Sequence, residues 1–140
     1  MKRPLAGLKI LLVDDDEANI DLMEEILRSY GALPTLADSA NTALEALKTY
    51  QPDLILLDLS MPAIDGWQLH TMLRRDPTLT KTPIVALTAH AMQGDGDKVM
   101  AAGFDGYLTK PVTYKTLAKL LLNYIFPEPP FIDPPKGLSS

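Results

Sequence analysis

Short, continuous apolar runs alternate along the chain with segments in which apolar residues recur at helical spacing. The clearest runs cover residues 8–13, 53–58 and 83–88, and their length is typical of strands buried on both faces of a sheet. Between them, apolar residues recur at intervals of three and four, as at Ile20, Met23 and Leu27. The pattern predicts strands and helices that follow one another along most of the chain.

Five strands and five helices are predicted. The predicted strands cover residues 8–13, 32–37, 53–58, 83–88 and 106–110, and the predicted helices cover residues 17–30, 40–49, 67–75, 91–102 and 113–126. Strict alternation predicts an α/β fold with a doubly wound parallel sheet and helices on both faces. Proline cannot donate to a strand ladder, so Pro34 indicates that the second strand lies at a sheet edge. The strand order 2-1-3-4-5, which is adopted from known doubly wound folds, agrees with that edge position.

The prolines and glycines indicate where the domain ends and where it is weak. From residue 127 the segment PEPPFIDPPKGLSS has five prolines and no periodicity. We therefore expect one domain over residues 1–126, a proline-rich tail over 127–140 and no output domain. Gly94 and Gly96 disfavour the start of the fourth helix, and its first turn is expected to be the most mobile part of the domain.

Composition narrows the class of protein. The formal net charge of −5 argues against an electrostatic nucleic-acid surface, which requires a basic stripe. The chain has no cysteine, which excludes disulfides and thiolate zinc sites and agrees with a reducing cytoplasm. No apolar run approaches the length of a membrane span, and the N-terminus does not have the pattern of a signal peptide. We expect a cytoplasmic protein that binds neither nucleic acid nor membrane.

Polar residues follow the predicted strands at the points where the strands end. Asp14, Asp15 and Asp16 follow the first strand, Asp58 ends the third, Thr88 ends the fourth and Lys110 ends the fifth. Parallel strands bring these ends to one edge of the sheet, where ligands of such folds bind. Clustered carboxylates favour a hard divalent cation such as Mg2+. A carboxylate can also be the nucleophile of phosphoryl transfer, with the cation and the lysine neutralising charge.

Four segments carry a resemblance to a known family. They are VDDDEAN at 13–19, LLDLSMPAIDG at 56–66, ALTAHA at 86–91 and YLTKP at 107–111. In this order they resemble the signature segments of the receiver domain of two-component response regulators, the CheY-like family, over residues 8–126. The resemblance implies a (βα)5 flavodoxin-like fold.

The resemblance also implies roles for the residues at the sheet edge. Asp58 matches the phospho-acceptor, and Lys110 matches the lysine that contacts the phosphoryl oxygens. Asp15 matches the direct ligand of Mg2+, Asp14 matches its neighbour that acts through water, and Ser60 matches the position whose backbone carbonyl binds the metal.

A second group of matched residues concerns the response to phosphorylation. Thr88 matches the hydroxyl that follows the phosphoryl group inward, and Tyr107 matches the aromatic switch whose rotamer follows Thr88. Pro111 matches a proline that is usually cis. His90 lies near the site as either a modulator of phosphoryl lifetime or a bystander.

The implied function is a phosphorylation-dependent switch that is not itself an enzyme. Its expected donors are a sensor histidine kinase or a His-containing phosphotransfer protein. Its expected output is a downstream protein that binds the face formed by the fourth helix, fifth strand and fifth helix. The alternatives are a receiver-like binding module that is never phosphorylated and a receiver fragment of a hybrid histidine kinase. A hydrolase of the haloacid dehalogenase type would need a second aspartate where Ser60 stands.

Overall fold

The structure is a computed structural model, and it describes residues 7–89, 95–110, 112, 113, 115–117 and 119. Five strands are present: β1 (Lys9–Val13), β2 (Leu33–Ala37), β3 (Leu54–Asp58), β4 (Ile84–Thr88) and β5 (Gly106–Thr109). They alternate with α1 (Glu17–Ser29), α2 (Ala40–Leu47), α3 (Gly66–Arg74) and α4 (Asp95–Ala101). Of the predicted fifth helix, residues 115–117 and 119 are described and are helical. The proline-rich tail lies outside the described residues.

The five strands form one parallel sheet in the order β2-β1-β3-β4-β5. The adopted strand order is therefore confirmed. Pro34 lies in β2 opposite Ile10, and β2 is an outer strand, as the missing proline donor predicts. The central strands β3 and β4 are buried along their whole length, which accounts for their continuous apolar sequence.

Side chains alternate between the two faces of the sheet and build two hydrophobic layers. On β1, Ile10 and Leu12 belong to the layer that includes Met23 and Leu27 of α1. Leu11 and Val13 belong to the opposite layer, with residues of α2, α3 and α4. The doubly wound architecture predicted from the alternating pattern is confirmed, with helices on both faces of the sheet.

The helix ends follow local capping chemistry, and here the sequence prediction was less accurate. Asp16 caps α1, and Ser39 and Asp65 form capping boxes at α2 and α3. The helices α1, α2 and α3 each end one or two residues before the predicted end. A short 3-10 helix, Pro77–Leu79, was not predicted, and the Asp76 carboxylate caps it.

At the amino-terminal edge of the sheet, Arg74 joins the end of α3 to two neighbouring segments. Its Nη2 lies 2.6 Å from Asp105 Oδ2, and Asp105 Oδ2 also accepts the N–H of Ile84 at 2.8 Å. Its Nη1 donates to the carbonyl oxygens of Leu79 and Thr82, at 3.0 and 2.8 Å. This arrangement fixes α3, β4 and the turn before β5 on the side of the sheet away from the polar edge.

Among the helices that the structure describes, none combines the length and apolar character that crossing a membrane requires.

Candidate functional site

The polar residues that end the strands meet at the carboxyl edge of the sheet. Asp14 directly follows β1, and its N–H donates to the carbonyl oxygen of Ala37 at 3.0 Å. Asp58 is the last residue of β3 and lies opposite Leu87 of β4, so Thr88 is one position beyond it on the adjacent strand. Lys110 follows β5, and its backbone N–H donates to the Thr88 carbonyl oxygen at 2.8 Å.

The ammonium group of Lys110 lies between two buried carboxylates. Its Nζ is 3.1 Å from Asp14 Oδ2 and 3.2 Å from Asp58 Oδ2. The Asp14 side chain is fully buried and that of Asp58 is 2% exposed. A buried charge requires a partner, and one cation facing two carboxylates leaves a net negative charge.

Asp14 is held by groups from the loop after β1 and from α1. Its Oδ1 accepts the N–H of Asp16 at 2.9 Å, and its Oδ2 accepts from the side-chain amide of Asn19. Both carboxylate oxygens of Asp14 therefore accept hydrogen bonds within the protein, whereas the neighbouring Asp15 carboxylate is exposed. The two adjacent acids therefore have different environments, one buried and paired and the other open to solvent.

Asp58 is held less completely than Asp14. Its Oδ1 accepts the N–H of Ser60 at 3.1 Å, whereas its buried Oδ2 accepts no hydrogen bond and has Lys110 as its ionic neighbour. Gly66 packs behind this strand end, and a Cβ placed on it would lie 2.2 Å from the carbonyl oxygen of Asp58. The carboxylate thus has a rigid backbone and an oxygen available to a further ligand.

Burial and charge shift the titration of this pair. Burial and the Asp14 carboxylate raise the pKa of Asp58 to about 7, although the Ser60 N–H and Lys110 act in the opposite direction. For Lys110, burial lowers the pKa, but hydrogen bonding to Asp14 and the charges of Asp14 and Asp58 outweigh it, and the pKa is raised. Lys110 is therefore a cation at neutral pH, and the Asp58 charge is only weakly favoured without a further positive charge.

The donor set fits a divalent cation. Asp14, Asp15 and Asp58 each offer a carboxylate oxygen, and these oxygens lie within 4.8 Å of one another. Oxygen donors of this kind suit Mg2+. Asp58 Oδ2, buried and without a hydrogen-bond donor, is the group that most needs such a partner. The acidic cluster predicted from the strand ends is therefore present, and it could bind a metal.

The remaining predicted site residues have the following positions. Thr88 is buried, and Tyr107 lies half-exposed on β5 opposite Ala86 of β4. Ser60 is exposed, and the proposed role of its carbonyl as a metal ligand stays a prediction. His90 and Pro111, like Gly94 and most of the first turn predicted for the fourth helix, lie outside the described residues.

Two structural features, one beside the site and one away from it, were not predicted from the sequence. The Gly66 contact was missed because only the three-dimensional packing brings residue 66 against the end of β3, although the dipeptide Asp65-Gly66 marks a helix start. His70 is buried on α3 and stacks on Phe104, with ring centroids 4.0 Å apart. Trp67 packs edge-on against the same Phe104 ring.

Comparison with known proteins identifies the family. The family model for the response regulator receiver domain matches residues 10–122 of this chain. The chain belongs to the response regulator receiver domain family. The four sequence segments and the five-stranded sheet are therefore both features of a receiver domain.

Two relatives differ in how much of their own length this chain covers. The chain is 39% identical over 126 residues to an uncharacterised 14.6 kDa protein of Leptolyngbya boryana, with 90% of this chain and 96% of that protein covered. It is 37% identical over 118 residues to the signal transduction histidine-protein kinase BarA of Escherichia coli. That match covers 84% of this chain but only 13% of the kinase. These relatives support a role in two-component signalling.

A solved receiver domain shares the fold of this chain. The receiver domain of the sensor histidine kinase PA1611 from Pseudomonas aeruginosa is 35% identical, with a TM-score of 0.77. The match covers 85% of this chain and 98% of that one, and that structure contains a magnesium ion coordinated in the active-site cleft.

Proposed function

We propose that this receiver domain is a phosphorylation-dependent signalling switch that accepts a phosphoryl group on Asp58. The observation that carries the proposal is the Asp58 carboxylate, which is buried at a central strand end, contacts Lys110 and has one oxygen without a hydrogen-bond donor. A carboxylate so placed is a fixed nucleophile with a cation beside it.

The residues of the chain have distinct roles in this reaction. An Asp58 oxygen attacks the phosphorus of a phosphohistidine, the N–P bond breaks, and the imidazole nitrogen keeps the electron pair and takes a proton. Lys110 stabilises the negative charge that develops on the phosphoryl oxygens. Thr88, one position beyond Asp58 on the neighbouring strand, offers a hydroxyl to the attached group.

Asp15, Asp58 and the Ser60 carbonyl are the proposed direct ligands of Mg2+, and Asp14 is proposed to act through water. The exposure of Asp15 and the burial of Asp14 support this division. When bound, Mg2+ supplies the positive charge that offsets the carboxylates and the incoming phosphoryl group.

The proposed donors are a sensor histidine kinase or a His-containing phosphotransfer protein, in the cytoplasm. The chain itself acts as acceptor, and we propose no activity on a separate substrate beyond its own phosphotransfer and dephosphorylation. The proposed output is a protein that binds the face of α4, β5 and the predicted fifth helix. Exposed Met100 and Tyr107 on that face support an apolar contact.

The test uses a small-molecule donor, so that no partner has to be known. The chain is incubated with phosphoramidate or acetyl phosphate and Mg2+, with and without EDTA, and its intact mass is recorded. We expect one added phosphoryl group that requires Mg2+ and is absent from Asp58→Asn. Asp53→Asn, at the other end of the same run, is the matched control and should be labelled. Equal labelling of Asp58→Asn, or no labelling of the wild type by any donor, contradicts the proposal.

A further inference from the structure

The aromatic ring of Tyr107 lies directly over Gly96, in the first turn of α4. A Cβ placed on Gly96 would lie 2.7 Å from both Cζ and Oη of Tyr107, and 2.9 Å from Cε1. Distances this short are not compatible with van der Waals contact. The ring therefore occupies space that only a residue without a side chain leaves free, and in this position Tyr107 is 39% exposed.

The backbone conformation does not explain the glycine at position 96. The described glycines with positive φ are Gly7, Gly31 and Gly103, and Gly96 is not among them. Glycine inside a helix costs about 1 kcal/mol relative to alanine, and the described part of α4 is seven residues long. The missing side chain of Gly96 instead leaves the space that the Tyr107 ring fills.

Tyr107 and Thr88 are on the same face of the sheet. Tyr107 pairs with Ala86 across the β4–β5 ladder, and Thr88 follows Ala86 by two positions, which brings its side chain to the same face. The Val99 side chain of α4 is buried in the hydrophobic layer on this face. A ring displaced from Gly96 can move along the sheet toward Thr88 or outward into solvent.

We propose that Gly96 is a positioning residue for Tyr107: its missing side chain seats the ring on α4 and away from Thr88, which stabilises the resting conformation. This inference rests on the proposed function, because it assigns the ring position to the switch that phosphorylation would operate. A side chain at position 96 removes the seat, frees the ring to move toward Thr88 and so favours the conformation that accepts the phosphoryl group. By population shift, the substitution acts without contact with the phosphoryl site.

The test compares Gly96→Ala and Gly96→Ser with the wild type. Both variants add a Cβ, but serine has the lower helix propensity. If contact with Tyr107 is the cause, the two variants act alike; if helix stability is the cause, they differ. Asp97→Ala, at an exposed neighbouring position on α4, is the control that raises helix propensity without touching the ring.

Two readouts are required. The first is the NMR signal of the Tyr107 ring, assigned with Tyr107→Leu, which reports the ring position whether or not the protein is phosphorylated. The second is the rate of phosphoryl uptake from phosphoramidate. We expect Gly96→Ala and Gly96→Ser to shift the ring signal and to raise the rate by roughly threefold to tenfold. In a Tyr107→Leu background, Gly96→Ala should leave the rate unchanged, because the group that it displaces is gone.

The outcomes separate this inference from the proposed function. An unmoved ring signal, or an equal effect of Gly96→Ala with and without Tyr107, overturns the role of Gly96 even if phosphorylation proceeds. If the ring signal shifts in the Gly96 variants but the wild-type chain takes up no phosphoryl group, the proposed function is overturned. The seat for Tyr107 is still supported in that case.

Discussion

Gly66 packs so tightly against Asp58 that a Cβ at position 66 would lie 2.2 Å from the Asp58 carbonyl oxygen and 2.7 Å from the Cα of Leu59. Both obstacles are backbone atoms, which cannot rotate out of the way as a side chain can. The N–H of Gly66 also donates to the Leu59 carbonyl oxygen at 3.2 Å. The start of α3 is thereby fixed to the strand end that carries the proposed phospho-acceptor.

Gly66→Ala should lower the free energy of unfolding by roughly 2–4 kcal/mol, because the backbone at Asp58 must shift to admit the methyl group. Displacement of the nucleophile should also slow phosphoryl uptake. Gly7→Ala is the control: its Cβ meets nothing within 4 Å, although its φ of +78° costs about 1 kcal/mol for a residue with a side chain. Urea denaturation of both variants measures the difference. Equal losses in the two would show that packing against Asp58 is not the cause.

The titration of Asp58 should make stability depend on pH. Because the pKa of Asp58 is raised by burial, the folded protein holds this proton more tightly than the unfolded chain does. The contribution of Asp58 to stability is therefore full below about pH 4 and is lost as the pH rises through about 7.

Asp58→Asn removes this dependence, since the amide does not titrate. In EDTA at about pH 8 the variant should be more stable than the wild type by roughly 1–4 kcal/mol, and this difference should shrink on going to about pH 5. Urea denaturation at the two pH values is the measurement, and exposed Asp97→Asn is the control. A difference that grows toward acid pH would contradict the assigned direction.

The exposed member of the acidic cluster should matter for metal binding. Asp15→Asn removes one negative oxygen donor and should weaken Mg2+ affinity by about tenfold or more. Asp21→Asn, an equal change of charge at an exposed position of α1, should leave the affinity nearly unchanged. Titration followed by fluorescence of Trp67, the single tryptophan, measures both. If the two variants weaken binding equally, net charge and not coordination governs the affinity.

At the opposite edge of the sheet, Arg74→Lys should destabilise the fold by roughly 1–2 kcal/mol. Lysine cannot reproduce a guanidinium that contacts Asp105 while donating to two carbonyl oxygens. Arg75→Lys, next to it and exposed, should change stability little. Mg2+ affinity should be unchanged in both variants. A loss of Mg2+ binding in Arg74→Lys would show that the two edges are coupled.

The sequence predicted the fold and the site to different depths, for physical reasons. Because β3 is buried along its whole length, its sequence is a continuous apolar run that can be recognised. The run stops at Asp58, which marks the strand end and so locates the polar edge of the sheet. Pro34 likewise placed β2 at the outside. Helix ends were less accurate because capping depends on single hydrogen bonds, such as those of Ser39 and Thr42.

The roles of Gly66 and Gly96 could not be predicted from local pattern. Each glycine is explained by an atom on another element, Asp58 for Gly66 and the Tyr107 ring for Gly96. A local pattern shows that a glycine is present but not what approaches it. Pairwise contacts between elements therefore remained for the structure to reveal.

The ion pairs of Lys110 with Asp14 and Asp58 also have a consequence for synthesis of the chain. A ribosome adds both carboxylates long before the lysine, and the strand that precedes the lysine is the last of the five to emerge. Until β5 pairs with β4, a partly made sheet would bury two like charges with no ammonium group between them. The two buried carboxylates therefore gain their compensating positive charge only when β5, the last strand, joins the sheet, and not when the first strands collapse together.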